Sequence, residues 1–256
     1  MEWENEIKLA IKAAIKAGDK LKTLSRSNIL DASGRDVKHQ SDIESEKIIL
    51  DILEHESDYP VLAEESGEHG TTHEKSPIWV VDPLDGTLNY SQGIRLCCVS
   101  IALWQGDNPV LGVVNDFNSE ELFSGVVDYG AWCNDVPISV SNKTNPQKAV
   151  LSTGFPVNRN FASKAINNFL EQIKQFKKIR LFGSAALSLA YVACGRVDAY
   201  TEEDIMFWDV AAGIALVKAA GGFVSYQNSE RKTWARNVWG GRVFMKINKG
   251  DEYDSV

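Results

Sequence analysis

The sequence is poor in cysteine and has no long hydrophobic run. Only 4 of its 256 residues are cysteines, and none forms a C-x-x-C pair, so neither a disulfide framework nor a cysteine metal site is indicated. No apolar segment approaches the roughly 20 residues that a membrane span needs. The first residues are acidic and contain no apolar signal core, which argues against secretion. These absences predict a cytoplasmic protein with reduced thiols and no membrane partner.

Positive charge is also in the minority. Lys and Arg number 27 against 35 Asp and Glu, which gives a net charge of −8. Nucleic-acid-binding proteins usually carry a basic face, so nucleic acid is not the expected partner. An anionic substrate remains open, because bound divalent cations can reverse the local charge. Hydrophobic residues make up 44% and charged residues 24%, which is typical of a folded domain and excludes disordered or collagen-like chains.

Helical and strand patterns are mixed along the chain, which predicts a layered α+β architecture. Apolar spacing predicts helices over 3–24, 161–178, 184–193 and 208–220. A capping-box pattern at Ser41 predicts a further helix that begins there. Apolar runs predict strands over 78–81, 96–104, 110–115, 121–127, 149–152 and 197–200. Residues 28–34 are typical of a loop, and the polar last 30 residues predict no element.

The most informative segment follows the strand over 78–81 and runs Asp82-Pro83-Leu84-Asp85-Gly86-Thr87. Two carboxylates at the end of a buried strand can converge on one site, where Mg²⁺ would bind them together with substrate phosphate oxygens. Such a cation would also relieve the repulsion between them. Gly86 lets the backbone approach a ligand closely, and a helix beginning there would present N–H groups to an anion. From this segment alone, an Asp-rich turn with a helix cap remains an alternative.

Two further acidic sites accompany this segment. Glu64-Glu65-Ser66 follows a short apolar run, and Asp209 stands at the start of an apolar helix. Taken alone, the glutamates could lie in a solvated loop and Asp209 could cap its helix. A phosphatase with an aspartyl nucleophile is not supported, because its D-x-D-G-T motif would place Pro83 at the nucleophile position.

Together these segments resemble the inositol monophosphatase family of Mg²⁺-dependent, lithium-sensitive phosphatases. The resemblance covers residues 5–225 and rests on Glu64-Glu65-Ser66, on a D-P-x-D-G-T-x-N block beginning at Asp82, and on W-D-x-A-A-G beginning at Trp208. It implies a five-layer αβαβα sandwich and a homodimer. One half would comprise residues 1–140 with most of the metal ligands, and the other half residues 141–256 with Asp209.

The resemblance also implies a role for each matching residue. The metal ligands, for two or three Mg²⁺ ions, would be Glu64, Asp82, the Leu84 carbonyl, Asp85 and Asp209. The catalytic residues would be Glu64 together with Asp42 and Thr87, a hydrogen-bonded pair that would position or deprotonate the attacking water. The substrate would contact Leu84, Asp85, Gly86, Thr87, Gly183, Ser184, Ala185, Glu202 and Asp209, and Glu202 would bind its hydroxyls.

The implied activity is hydrolysis of a small phosphate monoester by metal-activated water. Inositol 1-phosphate or a related sugar or cyclitol phosphate is the expected substrate. The alternative on the same site is a phosphatase of 3′(2′),5′-bisphosphate nucleotides, fructose 1,6-bisphosphate or histidinol phosphate. Only Arg95, Arg159 and Arg180 stand as candidates to bind a second phosphate. An alternative of another class is a partner-binding protein on a retained phosphatase fold.

Several positions depart from the family pattern. His39 stands where the family usually has threonine, and Asp31 where a lysine near the third metal is expected, so the third ion has the least support. Arg95 replaces a usual proline and could meet a substrate phosphate or lie on the surface. Asp204 and Met206 differ near the expected substrate site. These changes leave the predicted metal ligands complete and leave the substrate open.

Overall fold

The chain is described here by a computed structural model that covers residues 2–24, 29–31, 38–73, 76–155, 163–230 and 233–242. Side chains at 29–31, 38–39 and 163–165 lie outside that description. Six α-helices occur in the described residues: α1 (Glu4–Thr23), α2 (Gln40–Glu56), α3 (Thr87–Ser91), α4 (Ser163–Ile173), α5 (Ala185–Ala193) and α6 (Phe207–Ala219). None of these helices combines the length and the apolar character that crossing a membrane requires.

The first sheet has eight strands in the order β10-β9-β8-β7-β6-β5-β3-β4. Their bounds are β3 (Val61–Ala63), β4 (Gly67–His69), β5 (Pro77–Asp85), β6 (Cys98–Gln105), β7 (Asn108–Asp116), β8 (Glu121–Val126), β9 (Gly130–Cys133) and β10 (Val136–Ile138). All neighbouring pairs are antiparallel except β3 and β5, which run parallel. The carboxyl ends of β3 and β5 therefore meet at the same edge of the sheet.

The second sheet has five strands in the order β12-β11-β13-β15-β14. Their bounds are β11 (Val150–Thr153), β12 (Lys178–Arg180), β13 (Ala199–Met206), β14 (Phe223–Asn228) and β15 (Ala235–Gly241). A separate short pair is formed by β1 (Ile29–Asp31) and β2 (Lys38–His39). The division into halves at residue 140 stays a prediction, although the first sheet ends at Ile138 and the second begins at Val150.

The central strands of the first sheet are buried on both faces, and alternate residues enter two different cores. Trp79 and Val81 of β5 pack in the core that contains the buried faces of α1 and α2. Val80 of the same strand packs in the core that contains α5 and α6. Successive strand side chains point to opposite faces, so one continuous apolar run serves both cores.

The layers follow from these cores. α1 and α2 cover one face of the first sheet, and α5 and α6 lie between the two sheets. Ile173 of α4 packs beside Leu151 and Ala199 on the far face of the second sheet. The central layer fits tightly, because a Cβ added at Gly112 of β7 would lie 2.3 Å from the Ala212 carbonyl oxygen of α6. The predicted five-layer αβαβα sandwich is confirmed.

Four predicted elements need correction. The helix predicted over 161–178 ends at Ile173. Phe176, which continued the apolar pattern in the sequence, is buried but lies in the turn that leads into β12. The strand predicted over 197–200 continues as β13 to Met206. The predicted loop at 28–34 contains β1, and the polar C-terminal region contains β15. β1 has only three residues, and β15, which lies between β13 and β14, is only partly buried, so neither shows a clear apolar pattern in the sequence.

Candidate metal centre

Three of the predicted metal ligands meet at one edge of the first sheet. Glu64 follows β3, Asp82 lies in β5 and Asp209 lies in the first turn of α6. One carboxylate oxygen of each lies within 4.8 Å of those of the other two. Mg²⁺ binds oxygen at about 2.1 Å, so oxygens around one ion lie up to about 4.2 Å apart. A small contraction would therefore close the trio around a divalent cation.

Strand pairing brings the first two carboxylates together. Ala63 of β3 lies opposite Val81 of β5 in the parallel ladder, and Glu64 and Asp82 are the next residues in each strand. The Glu64 amide donates a hydrogen bond of 3.1 Å to the Val81 carbonyl oxygen, which continues the ladder by one step. The two side chains consequently emerge side by side.

The turn after Asp82 has several hydrogen bonds that hold its shape. The Asp82 Oδ1 atom accepts from the Leu84 amide at 3.0 Å, and the Ser45 hydroxyl donates to the Pro83 carbonyl at 2.7 Å. Gly86 has a φ of 90°, and a Cβ there would lie 2.8 Å from the Leu96 carbonyl oxygen. Both the positive φ and the missing space require glycine at this position.

Asp42 and Thr87 form the pair that the sequence predicts. The Thr87 hydroxyl lies 2.7 Å from Asp42 Oδ1 and 3.0 Å from the Leu84 carbonyl oxygen. Asp42 is buried in the first turn of α2. A hydroxyl has one proton to donate and two lone pairs that accept. When Thr87 donates to Asp42, its oxygen can still accept a hydrogen bond from water.

Asp85 is not part of the trio and is held by the other half of the molecule. Its Oδ2 atom accepts hydrogen bonds from the Ser184 hydroxyl at 2.6 Å and from the Ala186 amide at 2.7 Å. Ser184 is the N-cap of α5, and its oxygen also accepts from the Leu187 amide at 3.2 Å. A carboxylate at this helix start is favoured by the unpaired amides there. Asp85 thus connects the motif in β5 to the helix layer between the sheets.

The acidic residues strongly disfavour one another's charge. Burial raises the pKa of Glu64 to about 8, and it raises the pKa values of Asp82 and Asp209 well above the ordinary range. Repulsion between neighbouring carboxylates adds to these increases, and Glu64 and Asp82 hydrogen-bond to each other. Burial also raises the pKa of Asp85, to about 6, although its hydrogen bonds to Ser184 and Ala186 oppose the increase. A bound divalent cation such as Mg²⁺ would take the place of these protons and neutralise the carboxylates.

We expect the metal-free protein to lose stability as pH rises from about 4.5 to about 8. A carboxyl group whose pKa is raised in the folded state binds more protons there than in the unfolded state, so the free energy of unfolding falls with pH across this window. Urea unfolding in EDTA at several pH values would measure this loss, and Mg²⁺ should remove it. Equal stability of the EDTA-treated protein at pH 5 and pH 8 would contradict the expectation.

A cavity of about 250 Å³ adjoins the trio and contains most of the predicted substrate-binding side chains. Its lining includes Asp85, Gly183, Ser184, Ala185, Glu202 and Asp209. The other three predicted contacts, Leu84, Gly86 and Thr87, belong to the turn beside it and not to its lining. Asp204 and Met206, two of the departures from the family pattern, also line the cavity.

Glu202 lies within β13 and not after the strand, as its sequence context suggests. The Tyr200 hydroxyl donates to Glu202 Oε2 at 2.9 Å. A Cβ added at Gly154 would lie 2.5 Å from both carboxylate oxygens of Glu202. The carboxylate therefore rests on the Gly154 backbone and is fixed at the cavity wall.

Gly154, Tyr200 and the role of Asn89 were not predicted from the sequence. The Asn89 amide group donates to the Leu96 carbonyl at 2.7 Å and to the Phe182 carbonyl at 2.8 Å, which joins the motif helix to the predicted substrate loop. The position of Asn89 inside the D-P-x-D-G-T-x-N block was a usable signal. Tyr200 precedes Glu202 by two residues in β13, so the spacing in one strand was a usable signal once the strand was extended, whereas Gly154 carries none because pairing of β11 with β13 brings it to Glu202.

Three arginines were candidates to bind a second phosphate, and Asp31 and His39 are the departures that leave the third metal ion with the least support. Arg95 is exposed and does not line the cavity, and neither does Arg180. Arg159 and the side chains of Asp31 and His39 lie outside the described residues.

Known proteins place this chain in a family. The sequence model of the inositol monophosphatase family matches residues 2–246. The chain is 40% identical over 227 residues to the Nus factor SuhB of Xylella fastidiosa, with 85% of this chain and 80% of the relative covered. It is 38% identical over 229 residues to the inositol-1-monophosphatase of Synechocystis sp., with 86% and 78% covered. The crystal structure of the extragenic suppressor protein suhB from Bartonella henselae matches with a TM-score of 0.84 at 32% identity, covering 96% of this chain and 100% of the other. The chain therefore belongs to the inositol monophosphatase family and is a phosphoric monoester hydrolase.

Proposed function

We propose that this enzyme hydrolyses a small sugar or cyclitol phosphate in a Mg²⁺-dependent reaction, with inositol 1-phosphate as the first candidate substrate. The observation that carries the proposal is the convergence of Glu64, Asp82 and Asp209 within 4.8 Å beside a cavity lined by Glu202. An all-oxygen set of carboxylates, of which Asp82 is buried and the other two are partly buried, suits Mg²⁺ better than softer metals.

The metal would be held by Glu64, Asp82 and Asp209, with Asp85 and the Leu84 carbonyl as the further proposed ligands. When bound, Mg²⁺ neutralises phosphate charge and makes a coordinated water more acidic. Four carboxylates contribute about −4, and two or three divalent ions would leave the site neutral to positive, so that it can accept a phosphate dianion. This explains how an acidic protein could take an anionic substrate.

Orientation of the attacking water falls to the chain's own residues. Thr87 donates its proton to Asp42, so its oxygen is directed to accept a hydrogen bond from the water. Asp42 is buried and can take up the proton that this chain of hydrogen bonds passes on. Glu64 is proposed as a further catalytic residue that helps to activate the same water. The amides of Gly86 and Thr87 are proposed to bind the phosphate.

The leaving group would lie in the cavity against Glu202. Carboxylates accept hydrogen bonds from hydroxyls, and they repel phosphates. None of the described residues that line this cavity is Lys or Arg. A second phosphate would therefore lack a counter-charge, which favours a polyol monophosphate over a bisphosphate nucleotide or fructose 1,6-bisphosphate.

A panel of phosphate esters assayed with Mg²⁺ and with EDTA tests this proposal. Inositol 1-phosphate should be hydrolysed with Mg²⁺, and 3′-phosphoadenosine 5′-phosphate and fructose 1,6-bisphosphate should be poor substrates. Histidinol phosphate, which carries no second phosphate, is the informative competitor. Preferred hydrolysis of a bisphosphate would overturn the substrate assignment, and activity that is unaffected by EDTA would overturn the metal requirement.

We expect Glu202→Gln to raise KM for a polyol phosphate. The change keeps the shape of the side chain and removes its charge, and a hydrogen bond to a charged group contributes about 1.5–3 kcal/mol. Hydrolysis of 4-nitrophenyl phosphate, which has no hydroxyls to bind, should be nearly unchanged and serves as the control. An equal effect on both substrates would show that Glu202 acts on the metal centre or on folding.

Lithium should inhibit the enzyme, because a small monovalent cation can enter a site built for hard cations without supplying enough charge for turnover. Initial rates measured with LiCl, and with NaCl at the same ionic strength as a control, would check this at limiting Mg²⁺. Identical rates in the two salts would count against the prediction.

The relatives named Nus factor SuhB support a second candidate function, which is binding of a partner protein on the same fold. A folded wild-type protein that hydrolyses no ester of the panel, with or without Mg²⁺, would favour this alternative. The homodimer that the resemblance implies stays a prediction, and light scattering of the purified protein would measure it.

A further inference from the structure

We propose that a second cavity, outside the metal centre, binds a small aromatic monoanion such as an aromatic carboxylate. The cavity has a volume of about 490 Å³, within the range of small-molecule sites. It lies where β5 and α6 begin and where β14 meets β15. The lining residues that the argument uses are Trp104, Phe207, Tyr226, Trp234 and Arg236, with Asp107 and Glu68.

Four aromatic side chains contribute to its wall: Trp104 and Phe207 are almost fully buried, and Tyr226 and Trp234 are more exposed. The Trp104 ring packs edge-to-face against Phe207, with ring centroids 4.8 Å apart, and against Tyr226, with centroids 5.2 Å apart. Trp234 is 36% exposed and has a φ of 61°, an uncommon conformation for a bulky residue. Flat, rigid ring surfaces of this kind favour a planar apolar ligand, because both partners lose little conformational entropy on contact.

Arg236 supplies a positive charge to this wall, and exposed Asp107 offsets part of it. Its guanidinium carbon lies 4.4 Å from the centroid of the Phe207 ring, and its Nη1 atom donates to the Ala235 carbonyl at 3.1 Å. Among the described residues, no carboxylate forms an ion pair with it, and it is about half buried. A guanidinium has five N–H donors, so the remaining donors can bind a carboxylate in the bidentate geometry that arginine prefers.

Charges at the mouth limit the ligand to a single negative charge. Asp107 and Glu68 line the cavity and are both exposed, whereas Arg236 lies deeper. The Asp107 carbonyl also accepts a hydrogen bond of 2.9 Å from the Tyr226 hydroxyl, which fixes that ring. A second negative charge on a ligand whose carboxylate lies at Arg236 would be repelled by these two carboxylates.

The second cavity is close to the metal centre but separate from it. Ile205 and Met206 line the cavity beside Asp209, whereas Phe207 lines the second one. The Phe207 amide donates to the Trp234 carbonyl at 2.8 Å, which holds this short partition in place. A carboxylate probe could also reach the metal centre, so the test must distinguish the two sites.

Calorimetric titration of the full-length protein with indole-3-acetate tests the proposal. Wild type should bind, and Arg236→Met should weaken binding by about tenfold or more, as expected for loss of a charge-assisted pair. Arg236→Lys keeps the charge and should retain part of the affinity. Arg180→Met is the matched control, because Arg180 Nη1 also donates to the preceding carbonyl, at 2.9 Å, but lies outside the cavity. Its affinity should equal that of wild type.

Ligand analogues on the wild-type protein provide a test that needs no variant. Indole-3-acetamide, which is neutral, and phthalate, which is a dianion, should each bind at least about tenfold more weakly than indole-3-acetate. Inorganic phosphate with Mg²⁺ should not displace the probe. Absence of binding to wild type, displacement by phosphate, or equal losses in Arg236→Met and Arg180→Met would overturn the proposal. If Arg236→Met unfolds, Arg236→Lys and the analogue series still decide.

Discussion

Replacing Asp82 with asparagine is expected to lower Mg²⁺-dependent phosphatase activity by about a thousandfold. Asparagine has nearly the shape of aspartate but removes the negative charge from the buried centre of the trio. The loss corresponds to about 4 kcal/mol of transition-state stabilisation, since each 1.36 kcal/mol changes a rate tenfold. Single-substrate kinetics on inositol 1-phosphate over a range of Mg²⁺ concentrations would measure it.

The same variant separates a catalytic defect from a folding defect. Because Asp82 repels Glu64, Asp85 and Asp209 when no metal is bound, Asp82→Asn should be at least as stable as wild type in EDTA at pH 8. Asp19→Asn, an exposed aspartate on α1, is the matched control and should keep wild-type activity. Full activity in Asp82→Asn would remove the basis for the proposed metal centre.

Replacing Thr87 with valine is expected to lower kcat by about a hundredfold with little change in KM. Valine keeps the branched shape and removes the hydroxyl that connects Asp42 to the proposed water, and a positioned proton-transfer group contributes about 10²–10⁴-fold to a rate. Asp42 would also lose a partner in a buried position, so stability should fall by about 1–3 kcal/mol.

Thr87→Ser is the control for this prediction. Serine retains the hydroxyl at the same position and should recover most of the activity lost in Thr87→Val. Steady-state kinetics together with urea unfolding would separate the catalytic loss from the stability loss. If Thr87→Ser and Thr87→Val were equally impaired, packing of the methyl group would explain the effect and the proposed orientation of water would be wrong.

Part of the candidate metal centre could be predicted from sequence because that part is local. Asp82, Asp85 and Thr87 lie on one turn whose conformation is set by Pro83 and Gly86. The relative positions of these three side chains are therefore determined locally. Glu64 was assigned through the family resemblance, since taken alone it could lie in a solvated loop. Asp209 lies far along the chain, and only its family motif connected it to the others.

The cavity beside the trio, proposed to bind the substrate, could not be predicted to the same degree. Glu202 contacts Gly154 because β11 and β13 are parallel neighbours, and no local pattern encodes which strands pair. Arg95 could be assigned to substrate or to solvent by sequence alone, and the structure leaves it exposed outside the cavity. The grouping of Arg236 with Trp104 and Phe207 likewise joins residues from three separate elements.

By itself, the sequence determined the fold class, the family and the carboxylates available for a metal, because apolar periodicity and short motifs are properties of consecutive residues. Tertiary structure decided which of those carboxylates meet within 4.8 Å, which side chains face the substrate cavity, and where a second cavity lies. The reason is physical. Strand register and helix packing are chosen by the burial of the whole apolar surface, to which every layer contributes, so the positions of distant side chains follow only when the sandwich is complete.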